Sequence, residues 1–383
     1  MSKKSLAVGI VFFLVISSVP YSILSNEIST DTFGGNILYV GGSGLGNYSS
    51  IQNAVDNASD GDTVFVYNGT YNEFILIEKS MNLKGENKNT TIIYGNNGSR
   101  HIIFVTKDFV NITGFTVQYG NDGIRVKSSY VKIIDNKISA NNYGLNIYPG
   151  SFERTCSCLV KDNIISNNKY VGIEIHMSNK NNIIGNMVNY NQYDGITLIQ
   201  SASNNLSYNT INNNKAAGIF GIKTHENTIL ENIIQYNGRH YKLINSGIHF
   251  NLCSNNFLKG NSIMNNKDEG IELNLSSNNY FEYNTISNNS HSGIYIHFPT
   301  IGNSPNYFYK NNIFNNSKDK DYIKLQVEEI GVHNRWKYNY WGDWIGLKYR
   351  FLSFLPYYIS GFLFFNFDWH PATEPYDISM HGV

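Results

Sequence analysis

Histidine, carboxylate and amide side chains recur at equivalent places of a short motif that repeats along the chain. Where they are densest, His249, Glu272 and Tyr295 each fill the third place of a Gly-aliphatic-variable-aliphatic quartet. Side chains at one place of neighbouring coils in a stacked β structure lie about 5 Å apart, so we expect an outward-facing patch. The predicted ligand-binding residues are His249, Asn251, Glu272, Asn274, Tyr295, His297, Glu174 and His176.

Several kinds of chemistry suit this patch. Its polar groups could hydrogen-bond a glycan while Tyr295 stacks on a sugar ring. His249, Glu272 and His297 could instead hold a metal, so copper and calcium stay open as cofactors, although no residue is assigned as a metal ligand. Glu272 and His249 are the candidate catalytic residues. The remaining interpretation is a solvated outer face, which carries polar side chains whatever the function.

A carboxyl pair suited to glycoside hydrolysis is not predicted. Glycosidases need two carboxyl groups about 5 to 9.5 Å apart. Glu174 and Glu272 are four coils apart, about 19 Å. Glu269 and Glu272 are three residues apart along a strand-like run, which predicts a separation of about 10 Å. The expected separation of Glu174 and Asp194 is similar. Enzymatic activity is therefore uncertain from the sequence, which favours a non-catalytic protein.

The quartets are the elements that must position the patch. Their glycines are 21, 28, 23, 23, 29, 23 and 23 residues apart, and asparagines of a second track are 23, 23, 23, 29 and 23 apart. Both tracks gain six residues in one stretch, which predicts one insertion at residues 239–243. The quartets begin at Gly123, Gly144, Gly172, Gly195, Gly218, Gly247, Gly270 and Gly293, and the second track contains Asn163, Asn186, Asn209, Asn232, Asn261 and Asn284.

A period of 23 residues built from short alternating runs predicts stacked β coils, because no window keeps the 3.6-residue spacing of a helix for long. Three short strands per coil would turn the aliphatic residues inward and pair with the next coil. Ile173, Ile196, Ile248 and Ile271 should then form one internal row. The 33 glycines and 58 asparagines suit bends at positive φ, and asparagines in phase can bond each other along the stack.

Composition narrows the function classes. The chain has 29 Lys+Arg against 29 Asp+Glu and is only 15% charged, so it lacks the basic stripe that nucleic-acid binding requires. Its 14% aromatic content supplies apolar surface to bury and argues against disorder. Cys156, Cys158 and Cys253 are a poor disulfide framework and are predicted to be small core side chains.

Both ends of the chain have a separate pattern. Residues 1–25 contain two lysines, an apolar run and then small residues, which is the order of a secretory signal; an uncleaved N-terminal anchor is the alternative. Ser49 is predicted to N-cap a short helix that covers the first coil. All four tryptophans lie between residues 336 and 369, and with the aromatic segment 351–367 they predict a cap. A sugar-stacking or membrane-interface surface is the alternative.

The predicted domains are a signal peptide at 1–25, a β-helix with its N-terminal cap at 26–330, and an aromatic cap at 331–383. The repeats resemble the right-handed parallel β-helix repeat proteins, specifically the NosD-like (periplasmic copper-binding protein-like) branch of the pectin-lyase-like superfamily. The two tracks carry this likeness. Residues 60–73 are also similar to the first coil of such proteins, and residues 339–344 to their end motif. The likeness covers roughly residues 37–377.

The resemblance implies an all-β, single-stranded right-handed parallel β-helix with about 23 residues and three short strands per coil, a short N-terminal capping helix and an aromatic-rich C-terminal cap. This scaffold hosts lyases, hydrolases, adhesins and spacers, so the function has to be inferred from the residues of the site rather than from the fold. A lyase of this family would need acids beside a basic residue, yet Arg125 and Lys127 have only Asn146 in the neighbouring coil. Six scattered methionines give copper no soft-ligand cluster.

We therefore expect an exported, non-catalytic β-helix protein that binds polysaccharide or contributes to the cell envelope. The alternatives are a polysaccharide lyase or glycoside hydrolase, which would use Glu272 with His249 or Tyr295, and a copper-binding or metal-delivery protein. The expected location is secreted, periplasmic or at the cell surface. The expected partner is a polysaccharide or cell-envelope glycan, with no nucleic acid and no membrane span after signal cleavage, and the chain is expected to be a monomer.

Overall fold

Each coil of the chain contributes one short strand to each of three long parallel sheets. The computed structural model describes residues 34–96, 98–149, 156–238, 245–297, 304–317, 326–329, 334–361 and 366–378. The architecture is a parallel β-solenoid of about 11 coils with 23 residues per coil. This confirms the predicted fold class.

Among the described residues, sheet A has 13 strands that pair in chain order, each with the strand one coil away. Its strands are β1 (Ile37–Val40), β2 (Thr63–Val66), β5 (Asn82–Gly85), β8 (Asn111–Thr113), β11 (Lys132–Ile134), β14 (Leu159–Lys161), β17 (Asn182–Ile184), β20 (Asn205–Ser207), β23 (Thr228–Leu230), β26 (Phe257–Lys259), β29 (Tyr280–Glu282), β32 (Tyr307–Tyr309) and β35 (Arg335–Lys337).

Sheet B has 12 strands within the described ranges and follows sheet A in each coil after one bend. Its strands are β3 (Gly69–Tyr71), β6 (Thr91–Tyr94), β9 (Thr116–Gln118), β12 (Lys137–Ser139), β15 (Ile164–Ser166), β18 (Met187–Asn189), β21 (Thr210–Asn212), β24 (Ile233–Gln235), β27 (Ser262–Met264), β30 (Thr285–Ser287), β33 (Asn312–Phe314) and β36 (Tyr340–Trp341).

Sheet C, in the part of the chain that the structure describes, has 13 strands and contains the quartets. Its strands are β4 (Ile75–Ile77), β7 (Ile103–Val105), β10 (Asp122–Val126), β13 (Tyr143–Ile147), β16 (Ile173–His176), β19 (Ile196–Ile199), β22 (Ile219–Ile222), β25 (Ile248–Asn251), β28 (Ile271–Asn274), β31 (Ile294–His297), β34 (Val327–Glu329), β37 (Tyr357–Gly361) and β38 (Asn366–Asp368). All pair in parallel except β38, which is antiparallel to β37.

The aliphatic residues of the quartets fill the interior of the solenoid. Ile173, Ile196, Ile248 and Ile271 belong to one continuous row, in which Ile219 lies between the second and the third. All five side chains are fully buried, so the predicted internal row is confirmed. Each such side chain contributes about 1.5 to 3 kcal/mol by leaving water, which holds the coils in register.

Three ladders of asparagines, nearly all of them buried, run along the bends of the residues that the structure describes, where the sequence predicted one ladder. At each step, the backbone N–H and the side-chain Nδ2 of one asparagine both donate to Oδ1 of the asparagine in the next coil. Asn186 does so to Asn209 at 2.9 and 3.0 Å. The ladders run from Asn136 to Asn339, from Asn141 to Asn316 and from Asn181 to Asn334.

The bends use positive φ at a different place from the one the sequence suggested. In each ladder the residue before the asparagine is left-handed at nearly every step, Pro305 before Asn306 being an exception, and its type varies: Tyr208 has φ 58° and Glu231 has φ 51°. Such a conformation costs an L-residue about 1 to 2 kcal/mol. The asparagine bonds on either side offset this cost, because they satisfy the bend's buried polar groups.

The quartet glycines are required for close packing rather than for positive φ. None of the eight has a positive φ. A Cβ on Gly195 would lie 2.7 Å from the carbonyl oxygen of Gly218 and 2.5 Å from Ile211 Cγ2. The quartet therefore begins with glycine because the next coil and an interior isoleucine occupy the space a side chain would need.

The N-terminal end is covered by α1 (Ile51–Asn57), whose Ile51, Ala54 and Val55 are buried. The N-cap is Ser50, which accepts a hydrogen bond from the Asn53 amide. The prediction that Ser49 is the N-cap was therefore wrong by one residue. Ser50 Oγ also donates a hydrogen bond to Glu73 of the first coil, which fixes Ser50 at this place.

At the C-terminal end, three of the four tryptophans, Trp336, Trp341 and Trp344, are buried. Trp336 stacks on Phe308 with ring centroids 3.9 Å apart, so it extends the interior, whereas Trp369 is 64% exposed. The segment also forms α2 (Ile345–Lys348) and a 3₁₀ turn at Arg350–Leu352.

Some predictions remain beyond what the structure tests. The signal peptide at 1–25 and the insertion at 239–243 lie outside the described residues. The domain division at residue 330 stays a prediction, and β35, β36 and β37 lie on its C-terminal side. Within the described ranges, neither α-helix has the length and apolarity of a membrane-spanning segment.

Candidate functional site

The variable residues of the quartets form a single outer column on sheet C. The strand register pairs them coil by coil in the predicted order. Because side chains alternate along a strand, the inward aliphatic residues fix this column on the outside. Its members are Arg125, Asn146, Glu174, Thr197, Phe220, His249, Glu272 and Tyr295.

Glu272 is the centre of the column. Its Oε2 accepts a hydrogen bond from Ser246 Oγ at 2.7 Å and lies 2.9 Å from Nδ1 of His249 in the preceding coil. Its Oε1 lies 3.9 Å from Nε2 of His297 in the following coil. The ring of His297 in turn meets the ring of Tyr295 edge to face, with centroids 3.9 Å apart. The structure thus brings together the predicted residues of three consecutive coils.

His249 is less accessible than the sequence suggested. Its side chain is only 4% exposed, and its ring stacks on Phe220 of the preceding coil with centroids 5.4 Å apart. An imidazole covered on one face by a ring and held at one edge by Glu272 has little surface for a ligand. His249 therefore positions Glu272.

A second group of titratable side chains lies at the edge of sheet C where these strands begin. Asp268 and Glu269 precede Gly270, and His291 of the next coil reaches both. His291 Nδ1 contacts Asp268 Oδ1 and lies 3.5 Å from Glu269 Oε1. One ligand atom from each residue lies within 4.8 Å of the other two.

The expected distance between Glu269 and Glu272 was wrong. Ser246 Oγ lies 3.4 Å from Glu269 Oε2 and 2.7 Å from Glu272 Oε2, so these two oxygens are at most about 6.1 Å apart. The estimate near 10 Å assumed one extended strand. Instead, β28 begins at Ile271, and the bend before it turns the Glu269 side chain towards Ser246.

Charge and burial shift these carboxyl groups in opposite directions. Burial raises the pKa of Glu272, but His249, the hydrogen bond from Ser246 and the charge of His297 together outweigh this, so the net pKa is below its ordinary value. Burial, with the negative charges of Asp268 and Glu272, raises the pKa of Glu269 to about 8. Burial also raises the pKa of Asp268, although His291 opposes it.

Two of the predicted residues, Glu174 and His176, lie on β16, four strands from Glu272 along the sheet. Glu174 Oε1 accepts a hydrogen bond from Asn146, and its pKa is raised by burial and by Asp122. The His176 ring stacks on Tyr148, and burial and Arg125 lower its pKa.

Asn251, Asn274 and His297 form a second outward row beside the column. They are in register on β25, β28 and β31, and all are partly exposed. This row lies beside Glu272 on sheet C, whereas Glu174 and His176 lie four strands away from Glu272.

The sequence did not single out Asp268, His291 or Ser246. All three belong to the bends before the quartets rather than to the strands, at one or two residues before the glycine. A tabulation of those places would have shown Asp268 and His291 at the same place in adjacent coils. Their convergence with Glu269 depends on side-chain direction in the bend, for which the repeat gives no rule.

Soft ligands for copper are not gathered among the described residues. Cys156, Cys158 and Cys253 are buried and form no disulfide with any described residue, and burial raises the pKa of Cys253. Cu⁺ favours thiolate and thioether ligands, whereas the group near Glu272 offers carboxylates and imidazole. The donor set does not fit a cuprous site.

The stacked parallel coils define a right-handed parallel β-helix protein. The chain belongs to the NosD family, described as periplasmic copper-binding protein (NosD), whose model matches residues 55–246. A second model, described as right handed beta helix region, matches residues 183–335. No curated protein sequence matches the chain.

Solved structures support the fold. The Dettilon tailspike protein has a TM-score of 0.60 at 13% identity over 80% of this chain, which spans 66% of the tailspike's length. The catalytic domain of a GH87 α-1,3-glucanase has a TM-score of 0.54 at 12% identity, covering 79% of this chain and 69% of that one. Pectate lyase Pel9A has a TM-score of 0.50 at 16% identity and 82% coverage of both chains.

Proposed function

We propose that this chain is an exported protein that binds polysaccharide along the outer face of sheet C and does not cleave it. The observation that carries the proposal is that the Glu272 carboxylate is held in place beside the Tyr295 ring. Ser246 and His249 hold its Oε2 from the side of one neighbouring coil, and on the other side the Tyr295 ring occupies the next place in the column. A fixed carboxylate beside an aromatic ring suits a sugar, whose hydroxyl groups donate and whose apolar face stacks.

The rest of the face suits an extended ligand. Asn251, Asn274 and His297 follow one another at the spacing of the coils, and amides can both donate to and accept from sugar hydroxyls. The lowered pKa of Glu272 keeps it an acceptor at neutral pH. A row of such groups meets successive units of a chain better than a single small molecule.

Family and neighbours are consistent with this proposal. The matching family is described as periplasmic, which agrees with the signal-like residues 1–25. Two structural neighbours are named for enzymes of polysaccharides, a pectate lyase and an α-1,3-glucanase whose catalytic domain was solved with tetrasaccharides. Their likeness concerns the fold, so the choice of ligand class rests on the Glu272 face.

A glycan array followed by titration of the best ligand tests the proposal. Tyr295→Ala should weaken binding by about 0.5 to 1.5 kcal/mol, roughly 2- to 12-fold. Tyr190→Ala is the matched control, because Tyr190 is an exposed tyrosine on a bend. No binding to any envelope polysaccharide, or equal loss in both variants, would remove this function.

Glycoside hydrolysis is the second candidate, favoured by the separation of Glu269 and Glu272. Glu269 Oε2 and Glu272 Oε2 are at most about 6.1 Å apart, close enough for the shorter separations of glycosidase carboxyl pairs, about 5 to 5.5 Å. Incubation with polyuronides and neutral glycans should then yield new reducing ends, and Glu272→Gln should abolish them. Unsaturated products would indicate a lyase instead, and the absence of any product would leave binding alone.

A further inference from the structure

The group formed by Asp268, Glu269 and His291 lies beside the proposed glycan contact but takes no part in it. Its three ligand atoms lie within 4.8 Å of one another, and His291 Nδ1 is 3.5 Å from Glu269 Oε1. Ligands at about 2.1 Å from a tetrahedral ion stand roughly 3.4 Å apart. Small side-chain rotations would therefore let all three reach one ion.

We propose that Asp268, Glu269 and His291 bind one divalent cation of the zinc class. Two carboxylates and one imidazole are ligands that Zn²⁺ takes readily, and three protein ligands leave a fourth position for water or another ligand. Ca²⁺ prefers six to eight oxygens, which this group does not offer, and Cu⁺ prefers sulfur. The proposal does not depend on glycan binding.

The surrounding backbone holds the ligands in place. The backbone N–H of His291 donates to the carbonyl oxygen of Asp268 at 3.2 Å, which ties the two bends together. Ser246 Oγ lies 3.4 Å from Glu269 Oε2, the oxygen that does not face His291. A hydroxyl on the outer oxygen of a carboxylate ligand orients the inner one, as the outer partners of metal ligands do.

A second observation also favours a cation. A third carboxyl group adjoins Asp268 and Glu269, because Ser246 Oγ lies 3.4 Å from Glu269 Oε2 and 2.7 Å from Glu272 Oε2. Like charges crowded together in a partly buried place repel one another, and a divalent cation held by Asp268 and Glu269 would offset that repulsion.

Isothermal titration with Zn²⁺ and metal analysis after dialysis test the site on the full chain. We expect one tight equivalent in the wild type, lost in Asp268→Asn and in His291→Gln. Ser246→Ala should weaken it about 10- to 100-fold. His225→Gln is the matched control, since His225 is an exposed histidine on another bend, and should bind as the wild type does.

Co²⁺ added to the wild-type protein gives a readout that needs no variant to fold. A protein-bound visible absorption band that Zn²⁺ displaces supports the site. Its absence overturns the proposal, as does a tight equivalent retained by both ligand variants or tighter binding of Ca²⁺ or Cu⁺ than of Zn²⁺. Glycan affinity measured in chelator would survive that outcome, so failure here is distinguishable from failure of the proposed function.

Discussion

Gly221 lies directly opposite Phe250 in the interior of the solenoid, one coil apart on β22 and β25. A Cβ on Gly221 would lie 2.8 Å from Phe250 Cδ1. This explains why the quartet that begins at Gly218 ends in glycine, whereas the next quartet ends in Phe250 and the remaining ones end in an aliphatic residue. The large ring of one coil occupies the space that the preceding coil leaves.

Gly221→Val should destabilise the protein by about 1 to 3 kcal/mol, because the added side chain overpacks the ring. Phe250→Leu alone should also destabilise it, since a cavity opens beside Gly221. The double variant should recover part of both losses, with a coupling energy of about 0.5 to 3 kcal/mol. Urea unfolding followed by circular dichroism measures all three; strictly additive losses would contradict the proposed complementarity.

Asn209→Ala should break one ladder and cost roughly 3 kcal/mol. The change removes the oxygen that accepts from the Asn186 backbone N–H and Nδ2 and the amide that donates to Ile183 and Asn232. Each buried group left without a partner costs about 1 to 3 kcal/mol. Asn182→Ala, at an exposed strand position, should stay within about 0.5 kcal/mol, and similar unfolding midpoints for the two variants would disprove a stabilising ladder.

Asp368→Ala should loosen the C-terminal end. The buried Asp368 carboxylate stands where the next asparagine of a ladder would be, and it accepts from the backbone and side chain of Asn339 and from Trp341 Nε1. We expect earlier loss of buried-tryptophan fluorescence on heating and faster proteolysis near the C terminus. Asp377→Ala, at an exposed site, is the control and should change neither; a cap as stable in Asp368→Ala as in the wild type would contradict this role.

Asp194 should make stability depend on pH. Burial raises its pKa to about 6, against the opposing hydrogen bonds from Thr197 and the Ala217 amide. The folded carboxyl therefore stays protonated while the unfolded one ionises, so stability present below about pH 4 is lost as the pH rises to about 6. The loss is at most about 3 kcal/mol.

Asp194→Asn should flatten this dependence between pH 4 and 6 and be the more stable form, relative to wild type, at pH 7. Unfolding free energies measured at several pH values check it, with Asp162→Asn as an exposed carboxyl control. An unchanged slope in Asp194→Asn would show that this carboxyl is ordinary.

The repeat alone predicted the coil, the inward isoleucine row and the outer column, because a fixed period with alternating side chains leaves one way to bury Ile173, Ile196, Ile248 and Ile271 together. The NosD-like resemblance supplied the handedness. The role of the quartet glycines was misjudged, because the sequence shows where glycine recurs but not which atoms of the next coil approach it.

The sequence by itself thus determined the architecture and which side chains point into the interior of the solenoid. Only the tertiary structure decided that Glu269 meets Glu272 through Ser246 and that His291 reaches Asp268. Periodicity fixes a residue's place along the strands, since every coil repeats the same backbone hydrogen bonds. The direction of side chains at a bend depends instead on local dihedral angles and on contacts with the adjacent coil, which exist only once the coils are stacked.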